Sequence, residues 1–283
     1  MPDLNLYSCE RGISMIFDST EFMEKMLDSD FIKKYIPSPK IEIGAKILVP
    51  RVNISRSNDF CFSGDFPEFN YYGNNFYDAL FLSEFMLERA RQEAGMYSIH
   101  SSCAGRNGKA VVLFGWKDTG KTSVALHLAR EHGFKFLSEG RTVIDSDFRI
   151  AGKIHHIEED NDYLKEKYGF GDSCLDVSKL CPISSDKDEV ELMIYPQITG
   201  YPLEIKSWDF AKASYHMHEL FGYVIRGATK NINNYQCPLQ SIDTPELSKK
   251  RCGFVNSLVN NKKVIQIRGS LEDICNTLDG MLK

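Results

Sequence analysis

Apolar residues recur every three to four positions in several stretches of the chain, and this spacing predicts amphipathic helices. Between residues 18 and 27, for example, Phe22, Met23 and Met26 share one helical face. Asp18 is the candidate N-cap of this first helix, and Asp78 is that of the second. The predicted helices cover residues 18–27, 78–94, about 120–132, 208–221, and two segments that start at Thr244 and Ser270.

Short apolar runs lie between the helices and predict strands. Residues 110–114 (Ala-Val-Val-Leu-Phe) are apolar throughout, as expected for the centre of a sheet. They follow Asn107-Gly108, a dipeptide typical of two-residue hairpins. Because a hairpin makes the preceding strand antiparallel, the sequence predicts an α/β fold with a mixed sheet. The other predicted strands lie within residues 41–54, 58–75, 96–102, 134–137, 142–145 and 263–268.

The strand 110–114 leads directly into residues 115–122, which we call the glycine loop. This loop fits the P-loop pattern Gly-x-x-x-x-Gly-Lys-[Ser/Thr] without deviation. Glycines let the backbone approach phosphate, and the helix that follows presents backbone N–H groups to the anion. Lys121 would contact the β- and γ-phosphates, and the Thr122 hydroxyl would bind Mg²⁺. The predicted nucleotide-binding residues are Gly115, Trp116, Lys117, Asp118, Thr119, Gly120, Lys121, Thr122 and Ser123.

The bulk composition narrows the range of functions. A net charge of −5 over 283 residues argues against general nucleic-acid binding, which needs a basic surface. The eight cysteines form no Cys-x-x-Cys pair, so we expect reduced thiols rather than a zinc ribbon. The sequence shows neither a signal-peptide pattern nor an apolar run as long as a membrane span. We therefore expect a cytoplasmic protein without a membrane partner.

Three stretches around the glycine loop carry a resemblance to a known family. They are His100-Ser-Ser-Cys-Ala-Gly-Arg-Asn-Gly-Lys109, the glycine loop with the strand before it, and Gly133-Phe-Lys-Phe-Leu-Ser-Glu-Gly140. Together they resemble the C-terminal domain of HPr kinase/phosphorylase, a member of the phosphoenolpyruvate-carboxykinase-like P-loop group. The resemblance implies a nucleotide-binding fold of that type, with a kinase domain over residues 78–283 and an N-terminal α/β segment, residues 1–77, packed on it. Because HPr kinases form rings, a homo-oligomer is compatible with this resemblance.

The resemblance also implies roles for two residues outside the glycine loop. Where HPr kinases carry two adjacent acids, this chain reads Ser-Glu-Gly-Arg, with Glu139 as the remaining acid. Glu139 would deprotonate the attacking hydroxyl or hold a Mg²⁺-bound water; alternatively, it is a solvated loop acid in a degenerate site. His100 matches the family histidine that would contact the γ-phosphate or the substrate; alternatively, it is structural. The family's later Glu-x-Arg-Gly signature is absent from the expected place, so we predict no phosphorylase activity.

Three functions are compatible with these residues. The leading hypothesis is a Mg²⁺-dependent kinase that transfers the ATP γ-phosphate to a hydroxyl of a protein, peptide or small metabolite, with Glu139, Lys121 and His100 as catalytic residues. The missing second acid motivates the alternative of a nucleotide-binding regulator with little turnover. A carboxykinase-like enzyme acting on a carboxylic metabolite would need an extra transition-metal site, which the spacing of the histidines in the sequence does not indicate. The sequence does not decide between ATP and GTP.

Other polar residues have simpler interpretations. His216 and His218 are two apart on a predicted helix and would point to different faces. Arg51 and Arg56 are candidate anion ligands, but surface placement is the default for arginine. One dense polar cluster fits no zinc spacing and is expected to be a solvated loop; it comprises His155, His156, Glu158, Glu159 and Asp160.

Overall fold

The computed structural model describes residues 2–29, 31–44, 48–157, 175–227, 231–232 and 237–282. In these ranges the chain is a mixed α/β protein that divides into two units. The first unit comprises residues 1–97 and 221–251, and the second comprises residues 98–220 and 252–283. The division into a segment 1–77 and a kinase domain 78–283 stays a prediction.

The described elements comprise strands β1–β19, helices α1–α7 and one 3₁₀ turn, Val177–Lys179. The strands are β1 Asp3–Ser8, β2 Arg11–Phe17, β3 Pro39–Ile43, β4 Arg51–Arg56, β5 Cys61–Asp65, β6 Glu68–Gly73, β7 Tyr97–Ile99, β8 Ser101–Arg106, β9 Lys109–Phe114, β10 Lys135–Ser138, β11 Thr142–Ile144, β12 Ile150–Gly152, β13 His156–Ile157, β14 Leu175–Asp176, β15 Glu189–Ile198, β16 Glu204–Ser207, β17 Asn231–Ile232, β18 Cys237–Pro238 and β19 Lys263–Gly269. The helices are α1 Thr20–Leu27, α2 Phe31–Tyr35, α3 Phe76–Glu93, α4 Lys121–Glu131, α5 Phe210–Gly222, α6 Pro245–Asn261 and α7 Leu271–Met281.

The first unit is built on a six-stranded mixed sheet in the order β3-β1-β2-β4-β6-β5. β2, β4 and β6 run parallel, whereas β1, β3 and β5 pair antiparallel with their neighbours. The 18-residue helix α3 lies against β1, β2 and β4. Its apolar side chains, such as Leu82 and Met86, share a core with Leu6, Met15 and Val52 of the sheet.

The N-caps of α1 and α3 differ from the two that the sequence predicted. Ser19, not Asp18, caps α1, because its side chain accepts a hydrogen bond from the Phe22 amide. Asn75, not Asp78, caps α3 in the same way, and Asp78 is buried in the first turn. Each helix starts where a short polar side chain in extended backbone reaches an amide of the first turn.

The second unit contains another six-stranded mixed sheet, in the order β10-β8-β9-β15-β19-β16. β8 and β9 form the predicted hairpin, and Asn107 and Gly108 both adopt the positive φ angles that a tight two-residue turn requires. β9 runs parallel to β15, so the predicted mixed sheet is confirmed. α4 and α7 share a core with this sheet through residues that include Val124, Leu128 and Ile274.

Smaller sheets complete the described elements. β12, β11 and β7 form a three-stranded sheet, and β13–β14 and β17–β18 form two-stranded ones. The seven cysteines in the described ranges carry free thiols. Among the helices that the structure describes, none combines the length and the apolar composition needed to cross a membrane.

Candidate active site

The candidate site lies at one edge of the second unit's sheet, where the ends of three strands meet. β8 runs antiparallel to β9, with Ser101 paired to Phe114, so the start of β8 lies beside the end of β9. β10 is antiparallel to β8 and therefore runs in the same direction as β9. His100 precedes β8, the glycine loop follows β9, and Glu139 follows β10. The topology thus brings together residues that are far apart in the sequence.

The glycine loop turns sharply before α4 begins. Gly115, Asp118 and Gly120 have φ angles of 134°, 65° and 93°, and no side chain caps α4 at Gly120. The Lys121 side chain is buried, and its ammonium donates a 2.7 Å hydrogen bond to the Trp116 carbonyl. The amides of the first helical turn and the positive end of the helix dipole therefore lie beside a buried ammonium, as anion binding requires.

Glu139 receives hydrogen bonds on both carboxylate oxygens. The Thr122 hydroxyl donates to Oε1 at 2.7 Å, and the Ser102 hydroxyl donates to Oε2 at 2.6 Å. Sequence reasoning assigned no role to Ser102. A polar residue within a buried strand beside the glycine loop could have indicated a role for Ser102. Its partner, Glu139, is brought to it only by the pairing of β8 with β10, which the sequence does not show.

Burial and hydrogen bonding act in opposite directions on Glu139. Burial raises the pKa of its carboxyl group, whereas the hydroxyls of Ser102 and Thr122 and the charge of Lys121 lower it. Burial prevails, and the pKa lies above its ordinary value. Burial also lowers the pKa of the Lys121 ammonium, although the charges of Glu139 and Asp118 oppose that shift. A carboxylate with a raised pKa is a better proton acceptor than an ordinary surface acid.

His100 is oriented by a backbone carbonyl at the same edge. Its Nδ1 lies 2.7 Å from the Gly140 carbonyl oxygen, and because a carbonyl can only accept, Nδ1 carries the proton. Desolvation by the surrounding protein atoms and the nearby charge of Lys121 lower the pKa of His100 to about 4, although the residue as a whole is exposed. The ring is therefore neutral near pH 7, with Nε2 as the nitrogen that can accept a proton.

The residue after Glu139 has a backbone conformation that favours glycine. Gly140 has a φ angle of 69°, in the left-handed region that glycine adopts without steric cost. Its carbonyl holds His100, so this backbone conformation orients the histidine.

The glycine loop also packs closely against β15. A Cβ atom on Gly115 would lie 2.8 Å from the Tyr195 ring, and one on Gly120 would lie 2.5 Å from Ile198. Glycine at these positions therefore serves two purposes: it permits the positive φ angles and leaves room for β15. Trp116, in contrast, is 57% exposed.

Gly120→Ala is expected to destabilise the protein by about 1–3 kcal/mol, because the methyl group meets Ile198 in addition to the strain at positive φ. Gly133→Ala is the matched control, since Gly133 flanks the other end of α4 with a φ angle of 70° and open space around it. Chemical denaturation of both variants measures the difference. Equal losses of stability would show that contact with Ile198 does not matter.

The other candidate residues have structural roles in the described ranges. Arg51 pairs with Glu68 at 2.6 Å, and Arg56 pairs with Glu21 at 3.0 Å, so both arginines are held by acids of the first unit. His155 lies 3.0 Å from the Leu137 carbonyl oxygen and His156 lies in β13, so these two half-buried histidines are not part of a solvated loop as predicted. His216 packs on Trp208, and His218 lies beside Glu219. Glu158, Glu159 and Asp160 fall outside the described residues.

The oxygen atoms at this edge suit a hard divalent cation. The Thr122 hydroxyl and the Glu139 carboxylate are oxygen donors 2.7 Å apart, and oxygen is the ligand type that Mg²⁺ prefers. These oxygen donors therefore match the ligand preference of Mg²⁺.

Comparison with known sequences gives no family for the chain. No protein-family model matches it, and no curated protein matches it closely enough to indicate a relative. The functional argument therefore depends on the geometry of the site and on the motif.

Proposed function

We propose that the chain is a Mg²⁺-dependent kinase that transfers the γ-phosphoryl group of ATP to a hydroxyl acceptor. The observation that carries this proposal is the hydrogen bond between the Thr122 hydroxyl and the Glu139 carboxylate. It couples the last residue of a P-loop motif to an acid that directly follows a separate strand, β10, beside the buried Lys121 ammonium. Phosphoryl transfer needs this combination of phosphate binding, metal binding and a carboxylate.

In this proposal, residues of the chain would position the nucleotide and neutralise the charge of its phosphates. The amides of the glycine loop and Lys121 would bind the β- and γ-phosphates. Thr122 would hold Mg²⁺, which would neutralise phosphate charge when bound. Catalysis of this reaction is mostly positioning and electrostatic stabilisation, so few protein groups are required.

Two groups are candidates for handling the acceptor's proton. Glu139 has a raised pKa and a carboxylate aligned by two hydroxyls, which suits a general base. His100 is neutral and presents Nε2, which suits a hydrogen bond to the acceptor or to the γ-phosphate. We assign the role of base to Glu139, because its carboxylate contacts Thr122 and so lies beside the proposed Mg²⁺ and phosphate site. We assign the contact that orients the acceptor to His100.

Incubation of the protein with γ-labelled ATP, Mg²⁺ and an extract of the source cell tests the proposal. A labelled protein, peptide or metabolite is expected with the native chain and should vanish with Lys121→Ala, which removes the ammonium from the phosphate site. Equilibrium binding of a nucleotide analogue gives a second measurement on both proteins. Nucleotide binding without any transferred label would contradict the kinase.

A nucleotide-binding regulator with little turnover is the second candidate. The feature that favours it is Gly140, which has no carboxylate and stands where the HPr kinases that the sequence resembles carry a second acid. The regulator predicts tight, Lys121-dependent nucleotide binding with no labelled acceptor. The two measurements above therefore separate the two functions.

A further inference from the structure

A second cluster of polar side chains lies at the other end of α4 and takes no part in the proposed kinase site. His127, His132 and Glu272 each offer one ligand atom, and these atoms all lie within 4.8 Å of one another. His127 Nε2 is 3.1 Å from Glu272 Oε2, and the two histidine rings are 5.4 Å apart between centroids. At about 1.5 Å of rise per residue, His132 lies roughly 16 Å along the helix from Lys121.

The helices that carry these side chains are fixed against each other. α4 and α7 share a core, with Leu128 of α4 and Ile274 of α7 both fully buried. Arg106 connects the same two helices, since its guanidinium donates to the His132 carbonyl at 3.1 Å and to Asp279 at 2.7 Å. The backbone positions of the three candidate ligands are thus set by packing and hydrogen bonds outside the cluster.

A hydrogen bond from a residue outside the cluster also orients the Glu272 carboxylate. The Asn276 amide, one turn later on α7, donates to Glu272 Oε1 at 3.2 Å and leaves Oε2 directed to His127. Metal-binding carboxylates commonly have an outer hydrogen-bond partner of this kind. The end of α4 adds a favourable field, because the carboxyl end of a helix carries partial negative charge and attracts cations.

From these contacts we infer that His127, His132 and Glu272 form a divalent transition-metal site that prefers Zn²⁺. Two imidazoles and a carboxylate suit zinc and its neighbours in the first row, whereas Mg²⁺ and Ca²⁺ prefer oxygen ligands. Zinc holds such ligands at about 2 Å, so their atoms must approach to about 3.3 Å. His127 Nε2 and Glu272 Oε2 are already 3.1 Å apart, so the adjustment falls to the His132 ring, which is partly exposed at the end of α4. Three protein ligands leave a fourth position for water or for a ligand from another molecule.

Titration of the full-length protein with Zn²⁺ against a chromogenic chelator, without nucleotide, tests the site. One equivalent should bind, and His132→Ala should weaken binding by at least about 10- to 100-fold, the range seen when even an outer partner of a metal ligand is removed. Glu272→Ala should weaken it as well, and this exposed change leaves the core intact. His218→Ala is the matched control, because His218 also lies beside a glutamate, at 3.7 Å, and should leave the affinity unchanged.

Substitution of Co²⁺ for Zn²⁺ identifies the ligand atoms. A spectrum of tetrahedral cobalt without a sulfur-to-cobalt charge-transfer band is expected and should disappear in His132→Ala. A sulfur band would assign the metal to thiols, such as the exposed Cys61 and Cys252, and would overturn the proposal. The proposal would also be overturned if His132→Ala and His218→Ala lost Zn²⁺ affinity equally, or if the native protein did not compete with the chelator for Zn²⁺. None of these outcomes depends on whether the chain is a kinase.

Discussion

Glu139→Gln is expected to lower phosphoryl transfer by about 10²- to 10⁴-fold, the usual contribution of a positioned general base. Nucleotide affinity should change little, because Lys121 and the loop amides are untouched. Glutamine keeps the length of the side chain, and its amide can still hydrogen-bond the hydroxyls of Ser102 and Thr122. The change therefore removes the charge and the basicity while preserving the shape. Initial rates with saturating ATP and direct nucleotide titration measure the two effects separately.

The pH dependence of phosphoryl transfer by the native protein would give an independent check on the same residue. In the proposed kinase, transfer would require the Glu139 carboxylate, and burial holds the pKa of this group above its ordinary value. Activity should therefore be present above that raised pKa and fall as the pH decreases through it. Ser102→Ala removes one hydrogen bond that favours the carboxylate and should move this acidic limb to higher pH. A Glu139→Gln variant with the native rate would exclude Glu139 as the base.

The glycine loop could be predicted because its requirements are local. The positive φ angles at Gly115 and Gly120 and the start of α4 at Lys121 all lie within eight consecutive residues, and the motif encodes them directly. The hairpin at Asn107-Gly108 was predictable for the same reason. The mixed sheet followed from that hairpin and is confirmed.

The contacts between distant residues could not be predicted in the same way. The bond from Ser102 to Glu139 depends on how β8 pairs with β10, which no local pattern specifies. The first hairpin, β1–β2, was missed altogether, although apolar residues alternate along both strands. Its turn residues, Cys9 and Glu10, have positive φ angles, yet neither is the glycine or asparagine that signals such a turn.

Arg91→Met is expected to destabilise the protein by about 3–5 kcal/mol, the usual cost of removing one partner from a buried ion pair. Arg91 is fully buried in the first unit, and its guanidinium lies 2.5 Å from Glu84 and 2.8 Å from Glu88. It also donates to the Ser8 hydroxyl at 2.8 Å. Methionine fills much of the volume but leaves two buried carboxylates without their cation. Denaturant unfolding at neutral pH measures the loss.

The same network extends beyond the ion pairs, which makes the expected loss large. The Gln92 amide donates to Glu88 at 2.7 Å and to the Phe221 carbonyl at 2.9 Å, and Arg251 donates to the Gln92 oxygen at 2.7 Å. Loss of Arg91 therefore perturbs hydrogen bonds that connect α3 with residues 221 and 251 of the same unit. Buried polar networks of this kind stabilise the folded state only while every polar group in them has a hydrogen-bond partner.

Two further variants separate charge burial from simple loss of contacts. Arg56→Met removes an exposed arginine, 3.0 Å from Glu21, and should cost no more than about 1 kcal/mol because solvent screens such pairs. In Arg91→Met combined with Glu84→Met and Glu88→Met, the stranded carboxylates are gone, so part of the lost stability should return. If the triple variant were less stable than Arg91→Met alone, packing of the polar side chains, rather than unpaired buried charge, would account for the loss.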